Sequence, residues 1–574
     1  LHSPYTLSLH DALPICYDSV ILMNEIATEY DHKEIEGLFF NYGQRNEKEE
    51  YRCAKKVCNK YNIHLKKMTI PMVNKHNVLT DTNINAIDRI AQYIPMRNLI
   101  FLSYALSYAQ EKGYNDIYLA LLESISYPDT NEFFVKCLNG ISQQVGIKIH
   151  APYNNLNKYD LGFYARKYNV TKDEFFSCNV PIEQEGKLIP CGKCDDCVTI
   201  KDVYNKVIED TTPIQAWLHY GCKPTKIFEQ LFIDNPIEEV RLLTNNSCQF
   251  KCDHCFYGFD KMLDKPLKDT DFFKIIDECS RLGVKNIHFS GKEPLINADV
   301  FKYAKYIHTT TSMTCNLVTN GVNIAKYINE LRDSKMKVFL SVDTLSSKHV
   351  IRDSNPHIKP TINLLLSNNI ETEIFIDLTE KNSSPEDLLH TLTFLYYQGI
   401  RKFYIREVLP LGKNKDNMIP QLISMEELNE VLETLIDLTE DPTYKGIDIT
   451  FNIKNLWSNE LVNSDHYKDL YPLYDVIQYN KATSDSKINP NLALIIQYYC
   501  SPFEEQITIT PDGYVLGCAT EVSCSNYIDI SVGNVKDKPL KELILKGKHK
   551  TLDRINKVYK EKGNYIPFCF HTQL

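Results

Sequence analysis

Three thiols at Cys-x3-Cys-x2-Cys spacing, Cys248, Cys252 and Cys255, follow closely on the apolar run Val240 to Leu243. A short loop carrying three thiolates can ligate three irons of a cubane 4Fe–4S cluster, which leaves the fourth iron without a protein ligand. An iron with an open position is a reaction site, by the logic that separates catalytic from structural zinc. The spacing alone also admits a zinc knuckle short of its fourth ligand, or three unrelated buried cysteines. A second group stands earlier in the chain: Cys178, then thirteen residues on a Cys-x2-Cys-x2-Cys of Cys191, Cys194 and Cys197. Four thiolates suit a closed tetrahedral zinc site that pins a loop, with an iron–sulfur cluster as the alternative because thiolate softness accepts both.

The chain around these thiols has 574 residues, 43% of them apolar and 24% charged. That is the composition of a globular protein too long for one core, and about three or four domains fit the length. Its 64 basic and 74 acidic residues leave a net charge of −10, so no global basic field favours nucleic acid, although a local groove for RNA stays open. No run of 18 apolar residues marks a membrane span. The clustered cysteines mostly have Cys-x2-Cys or Cys-x3-Cys spacing, which in a large chain reads as metal ligation in a reducing cytoplasm. The opening differs in kind. It starts at Leu1, fits neither a helix, a strand nor a signal peptide, and over Thr6 to Ile15 resembles one reading frame of a common sequencing adapter. Residues 1–15 are therefore read as an assembly artefact, with native sequence resuming near Cys16 and whatever preceded Asp18 lost.

What must position the cysteines is an alternation of helix and strand. Up to about residue 215 the pattern runs helix Val20 to Ile26, strand Gly37 to Phe40, helix Lys48 to Tyr61 and strand His64 to Met68. An amphipathic helix opening at Tyr93 to Asn98 and reaching Gln110 follows, then a strand from Asp116 to Ala120. This predicts a parallel α/β sheet. Its ligands would sit beyond the carboxyl ends of the strands, where Asp18-Ser19, Tyr42-Gly43 and Ser124 to Asp129 fall.

The segment Tyr42-Gly-Gln-Arg45, Pro95-x-Arg97-Asn98, Tyr127-Pro-Asp129, Leu156-x-Lys158 and the four cysteines together resemble the 7-cyano-7-deazaguanine synthase family, from Asp18 to about Val203. These are ATP-dependent enzymes of the PP-loop type, with an adenine nucleotide alpha hydrolase-like fold. The resemblance implies that ATP adenylates a substrate carboxylate and that ammonia then converts it to amide and nitrile. It assigns catalysis to Asp18 and Ser19, cofactor contacts to Arg97 and Lys158, and zinc to Cys178, Cys191, Cys194 and Cys197. The family opens with a Ser-Gly-Gly-x-Asp-Ser loop whose backbone amides cradle phosphates. Only Asp18-Ser19 of that loop stands here, which predicts impaired ATP binding for the sequence as written. Asn41 and Asn46 replace an aspartate and a histidine, and Thr130-Asn-Glu-Phe133 lacks an expected arginine. Base recognition is hydrogen-bond readout, where one lost partner matters, so the activation chemistry is expected on a different carboxylate.

Residues 216–237, proline-bearing and without a clear period, read as a linker with a short helix around Ile227 to Phe232 and an inert thiol at Cys222. From residue 238 to about 455 strand–helix alternation repeats six times. The strands are Val240 to Leu243, Asn286 to Ser290, Cys315 to Thr319, Lys337 to Val342, Glu371 to Leu378 and Lys402 to Glu407, with helices such as Phe272 to Leu282 and Leu388 to Tyr397 between them. Six such units make an open, partial (βα)6 barrel whose site lies at the carboxyl end of its strands. The cysteine loop follows strand one, Ser290-Gly-Lys-Glu-Pro294 closes strand two, Thr319-Asn-Gly321 strand three and Ser341-Val-Asp343 strand four, with Arg352 beyond.

That constellation resembles the radical S-adenosylmethionine (radical SAM) superfamily. The resemblance implies a 4Fe–4S cluster on Cys248, Cys252 and Cys255, with S-adenosylmethionine chelating its open iron. Gly291, Glu293 and Pro294 match the motif that holds the amino group, with Lys292 where a second glycine is usual. Ser341 would meet the ribose or carboxylate and Arg352 would clamp the carboxylate, while Asn320 and Asp343 stand between a cofactor role and ordinary strand-end capping. One electron, from a donor such as flavodoxin or ferredoxin, would cleave the sulfonium and yield a 5'-deoxyadenosyl radical for hydrogen abstraction.

Residues 456–574 form a small Cys-rich region with Cys500, Cys518, Cys524 and Cys569, a hairpin over Thr508 to Gly517 and a helix near Leu540 to Leu545. It resembles the SPASM or twitch extension of radical enzymes that act on peptides, which implies a second iron–sulfur cluster on those four thiols. Cys53, Cys58, Cys137, Cys279 and Cys315 read as buried thiols. The whole then reads as a bifunctional enzyme that activates a carboxylate and abstracts hydrogen, acting on a deazapurine-like small molecule or on a peptide. The alternative is a radical peptide maturase whose first half is a non-catalytic substrate-binding module.

Overall fold

The protein is described by a computed structural model, over residues 6–10, 17–71, 77–84, 93–122, 127–184, 186–203, 218, 222–252, 254–255, 257, 266–345, 355–408, 419–453, 487–496, 502–523 and 527–562. Two compact units divide the chain: residues 1–211 with 220–231, and residues 212–219 with 232–574.

In the first unit five parallel strands form one sheet: β1 (Thr6–His10), β2 (Ile35–Asn41), β3 (His64–Thr69), β4 (Asp116–Tyr118) and β5 (Lys148–His150), in the order β3-β2-β1-β4-β5. A separate hairpin is made by β6 (Ile182–Gln184) and β7 (Lys187–Ile189). The opening residues correct the sequence reading that no strand fits there, because β1 is central, pairing Thr6 with Ile35 on one side and with Asp116 on the other. A five-residue segment takes its conformation from the ladders that flank it more than from its own propensity. The helices are α1 (Tyr17–Glu29), α2 (Glu47–Lys60), α3 (Arg97–Lys112), α4 (Glu132–Ser142), α5 (Lys158–Lys167) and α6 (Asp195–Val203). Their starts are chemically marked. Glu47, Glu49 and Glu50 oppose the dipole of α2, and Asn157 and Asp160 form a capping box that makes Lys158 the first residue of α5. Buried Leu38, Phe40, Phe101, Leu102 and Ile117 fill the core between sheet and helices.

A further helix, α7 (Lys226–Asp234), covers the expected Ile227 to Phe232. The second unit has an eleven-stranded sheet. Its parallel series is β8 (Glu239–Leu243), β9 (Asn286–Ser290), β10 (Thr314–Thr319), β11 (Lys337–Ser341), β12 (Thr372–Leu378), β13 (Lys402–Glu407) and β14 (Asp448–Ile453). The sheet runs beyond the six expected strands. At one edge β15 (Lys487–Asn489) and β16 (Leu492–Ile496) extend it, and at the other β17 (Gln506–Ile509) lies parallel to β8 with β18 (Val515–Leu516) antiparallel outside. The hairpin of the Cys-rich region is thus continuous with the barrel sheet. Between the strands run α8 (Asp269–Arg281), α9 (Asp299–Thr310), α10 (Ile328–Ser334), α11 (Asn355–Ser367), α12 (Pro385–Gln398) and α13 (Met425–Glu440).

Alternation along the strands explains both faces. Ile374, Ile376 and Leu378 of β12 and Ile405 of β13 are buried in one core with Leu388, Leu392 and Leu395 of α12. The intervening residues face the other way, where the rings of Phe339, Phe375 and Tyr404 pack in sequence at 4.8 and 5.2 Å between centroids. Cys53, Cys58, Cys279 and Cys315 are buried, and burial pushes their thiols up to between about 11 and about 12, which makes them inert. Cys222 is buried and pushed up in the same way. Cys137 is a correction: it is exposed, on the outer face of α4 opposite buried Phe134, Val135 and Leu138.

The last helix, α14 (Leu540–Lys562), is fixed by two features. Gly547 is in the helix interior because a Cβ there would stand 2.3 Å from Cδ1 of Phe503. Next to it Lys548 is buried, and its Nζ donates to the carbonyls of Phe232 (2.9 Å), Ile233 (3.1 Å) and Asn235. Burial lowers its ammonium to about 8, which still leaves it protonated at neutral pH as a donor to three acceptors requires. Lys548→Met strands those carbonyls and is expected to cost about 2 kcal/mol, since a buried group without its partner costs roughly 1–3 kcal/mol. A lowered urea midpoint of this unit is the expected result; an unchanged midpoint refutes the role.

Candidate functional site

In the second unit the site is built on the turns that leave β8, β9 and β10. The chain after β8 is stitched to the chain after β9: Thr244 N donates to Ser290 O (3.0 Å), Glu293 N to Ser247 O (3.0 Å) and Asn245 Nδ2 to Glu293 O (2.8 Å). Gly291 makes this approach possible. Its φ is +138°, and a Cβ there would meet Asn245 O at 3.0 Å. Glu293 is buried with both carboxylate oxygens engaged, accepting from Leu295 N (3.0 Å), Thr319 Oγ1 (2.7 Å) and Asn320 N (2.8 Å). Pro294 opens the one-turn helix Pro294–Ile296 that turns the chain away. What this segment offers a ligand is therefore its backbone path, with the Glu293 side chain spent on holding it.

Asn320 carries the network to the cysteines. Its Oδ1 accepts from Val322 N (3.1 Å) and Gln249 Nε2 (3.4 Å), and its Nδ2 donates to Cys248 Sγ at 3.6 Å. Phe250 N also donates to Cys248 Sγ (3.3 Å) and Cys255 N to Cys252 O (3.1 Å). All three cysteines are half-buried. Two N–H donors on one sulfur suit a thiolate, and such outer hydrogen bonds orient and tune metal ligands; the loop fits an iron–sulfur cluster. Burial raises the Cys248 thiol above its ordinary value.

The next strand ends add a group that the sequence reading missed. His254, inside the cysteine loop, is buried with Nε2 3.5 Å from Asp343 and 3.9 Å from Asp377. Asp377 is held by Arg406 Nε (2.5 Å), and Asn382 Nδ2 donates to the carbonyls of Asp343 (2.8 Å) and Asp377 (3.1 Å). Asp377 and Arg406 are register partners on β12 and β13, so their strand-end position was the signal that could have found them. Asp343 thus turns toward the cysteine loop, and Ser341 lies half-buried at the end of β11. Arg352, Cys500, Cys524 and Cys569 lie outside the described residues; Cys518 is half-buried just past β18.

In the first unit, Asp18 and Ser19 are buried in the opening turn of α1. Arg97 is buried and donates to Tyr42 OH (3.1 Å), and Asn98 donates from N and Nδ2 to Asp129 (both 3.0 Å). Asn98 Oδ1 is buried with no hydrogen-bond partner among the described residues, an acceptor left for a ligand. The departures from the family pattern have local work: Asn41 Oδ1 accepts from Gly43 N (3.0 Å), Asn46 Nδ2 donates to Cys178 O (3.1 Å), and Asn131 caps α4. Lys158 is paired with Asp196.

The four sulfurs of Cys178, Cys191, Cys194 and Cys197 all lie within 4.8 Å of one another. With Zn–S near 2.3 Å, tetrahedral ligands stand about 3.8 Å apart, and Cys191 and Cys197 are at 3.9 Å. Backbone amides of Cys191 and Cys194 donate to Cys178 (3.1 Å) and Cys191 (3.3 Å) sulfurs. Hydrogen bonds from Cys178 and Cys197 pull the Cys194 thiol far below its usual range, and the same contact pushes the Cys178 thiol up, as expected of sulfurs that share protons at close range. The site fits zinc.

Family models match three stretches: queuosine biosynthesis protein QueC over residues 16–208, the radical SAM superfamily over 242–395 and the SPASM iron–sulfur cluster-binding domain over 500–571. Among curated proteins, the 7-cyano-7-deazaguanine synthase of Picrophilus torridus is 34% identical over 29% of this chain and 74% of its own. That of Nautilia profundicola is 34% identical over 31% and 86%. Among solved structures, Streptococcus suis SuiB bound to precursor peptide SuiA aligns over 68% of this chain and 82% of its own, at 14% identity and a TM-score of 0.42. Native anSMEcpe with bound AdoMet aligns over 55% and 84%, at 16% identity and a TM-score of 0.41. The second unit is thus of the radical SAM class with an iron–sulfur extension, which implies clusters and S-adenosylmethionine. Through residues 16–208 the chain belongs to the 7-cyano-7-deazaguanine synthase family, and it is an enzyme in which that domain is fused to the radical one. Among the described residues no helix is long and apolar enough to cross a membrane.

Gly291→Ala forces a Cβ against Asn245 O in a left-handed conformation. It is expected to lower S-adenosylmethionine cleavage at least tenfold with iron content unchanged; wild-type cleavage would show that the backbone path is not what the motif supplies.

Proposed function

We propose that the chain is bifunctional: its first unit activates a carboxylate with ATP, and its second generates a 5'-deoxyadenosyl radical from S-adenosylmethionine for hydrogen abstraction. The observation that carries the radical half is the stitching of the cysteine loop to Glu293 and Asn320 at adjoining strand ends. When bound, cluster and S-adenosylmethionine supply a reductively formed carbon radical. The residues of this chain do the rest. Cys248, Cys252 and Cys255 hold the cluster, the Gly291–Pro294 backbone receives the amino group, and Ser341 and Arg352 receive the ribose and carboxylate. Beneath them Phe339, Phe375 and Tyr404 close the lumen and exclude water. A second cluster on Cys500, Cys518, Cys524 and Cys569 belongs to the same reading.

In the first unit Asp18, Ser19, Arg97 and Lys158 serve ATP, and zinc on the four cysteines holds the loop behind them. Asn41 and Asn46 each give one side-chain atom to Gly43 and Cys178, and neither offers the carboxylate or the imidazole of the family's aspartate and histidine. This favours a carboxylate other than the family's own, with a peptide ahead of a deazapurine.

Protein purified without oxygen is expected to hold near eight irons and one zinc per chain, counting roughly four irons per cluster, and to release 5'-deoxyadenosine on reduction with S-adenosylmethionine. Cys255→Ala should abolish that release. Zinc alone without cleavage would sink the radical reading and leave a metal-stabilised binding protein.

A further inference from the structure

The four-cysteine loop is joined to the starts of three helices, each just beyond the sheet of the first unit. Ser177 Oγ accepts from the backbone N–H of Tyr17, the first residue of α1, at 3.0 Å. The carbonyl of Cys178 accepts from Nδ2 of Asn46 at 3.1 Å. Asn46 occupies the N-cap of α2 yet makes no capping bond, so its side chain is given to the cysteine loop instead. Asp196, between Cys194 and Cys197, accepts from Lys158 Nζ on one oxygen and from Asn179 Nδ2 on the other. Lys158 is the first residue of α5. Helix starts are where a parallel α/β domain meets an anionic ligand, and here all three lean on one small loop.

Burial holds only part of that loop: Cys178 and Cys194 are buried, but Cys191 and Cys197 are half-buried and β6 and β7 beside them are largely exposed. A metal on the four sulfurs would order the half-buried part, where Asp196 stands between Cys194 and Cys197. We propose that Asp196 is a positioning residue: metal on the four cysteines fixes Asp196, Asp196 fixes the Lys158 ammonium beside the nucleotide, and metal release sets Lys158 loose and weakens ATP binding. The inference rests on reading the first unit as ATP-dependent. It goes beyond that reading in making the metal loop a control on the site.

The test uses the full chain and a readout that needs no turnover. Lys158 acylation by an N-hydroxysuccinimide ester is measured by mass spectrometry against exposed Lys148, alongside zinc content and Mg-ATP affinity. In Asp196→Ala and Asp196→Asn, zinc is expected to stay at wild-type content, Lys158 labelling to rise several-fold and ATP affinity to fall about tenfold, with Asp196→Glu recovering part of both. Chelating the metal from the wild type should raise Lys158 labelling to the same level. Unchanged Lys158 labelling after both chelation and substitution overturns the proposal. So does raised labelling in a chain that binds ATP as tightly as before. A wild-type chain that shows the labelling response but binds no ATP refutes the ATP-dependent reading, and with it the nucleotide part of the proposal, while the loop-to-lysine coupling stands.

Discussion

A carboxylate with almost no exposure organises the second unit. Burying an ion is costly unless hydrogen bonds replace its water, and Glu293 has three such donors from two different turns. Because Leu295 N, Thr319 Oγ1 and Asn320 N must all point at one group, the ends of β9 and β10 are held in a single relation. The cysteine loop inherits that relation through Asn245, Ser247 and Asn320. Parallel strands cannot supply this by themselves. Their ladder stops at the strand end, and beyond it position is set by side chains or by tight turns. Glutamate suits the place because two oxygens with several lone pairs accept from several donors at once, and Gly291 suits it because any side chain would hold the two turns apart.

The first unit meets the same constraint with different material. The starts of α1, α2 and α5 also lie past the end of the ladder, but what joins them is a loop carrying four thiols. A carboxylate cluster can be assembled by folding alone. Four converging sulfurs fit a metal, and where a metal occupies such a site its binding and the folding of the loop are one equilibrium. The Asn46 side chain shows how closely the rest has adjusted, since it has given up capping its own helix to hold a carbonyl of the loop.

Much of this was legible in the sequence, and for stated reasons. The strands Asn286–Ser290 and Lys402–Glu407 lie where apolar alternation put them, because each buries one face against helices whose apolar residues recur at helical spacing. The four cysteines and the strand-end motifs were visible because metal ligands and tight turns admit few residue types. Three things were hidden. Thr6–His10 is a strand only by virtue of the two strands beside it, a long-range fact that local propensity does not carry. Cys137 looked like other scattered thiols, but the buried set Phe134, Val135 and Leu138 leaves it on the outer face of its helix. Asp343 stood among the strand-end candidates, but its grouping with His254, Asp377 and Arg406 was missed: the four come from separate segments that only the sheet register brings together, and the strand-end positions of Asp377 and Arg406 were the one signal available.

Register also explains why that group can exist inside a barrel. On β12 and β13 the residues pointing away from the helices alternate as Phe375 then Asp377 and Tyr404 then Arg406, and pairing sets ring beside ring and carboxylate beside guanidinium. The aromatic layer lies one step below the charged one. A one-residue slip would move each charge to the helix-packed face, where no partner waits, so the pair and the ring layer enforce the same alignment. Low polarity beneath strengthens the Asp377–Arg406 attraction above, and a firm Asp377 in turn bounds where His254, and with it the cysteine loop, can rest. The site is therefore approached from two sides: Glu293 fixes the loop from below the second and third strands, and the charged pair limits it from the fifth and sixth. The cysteine loop is thus held between a buried carboxylate on one side and a charged pair on the other.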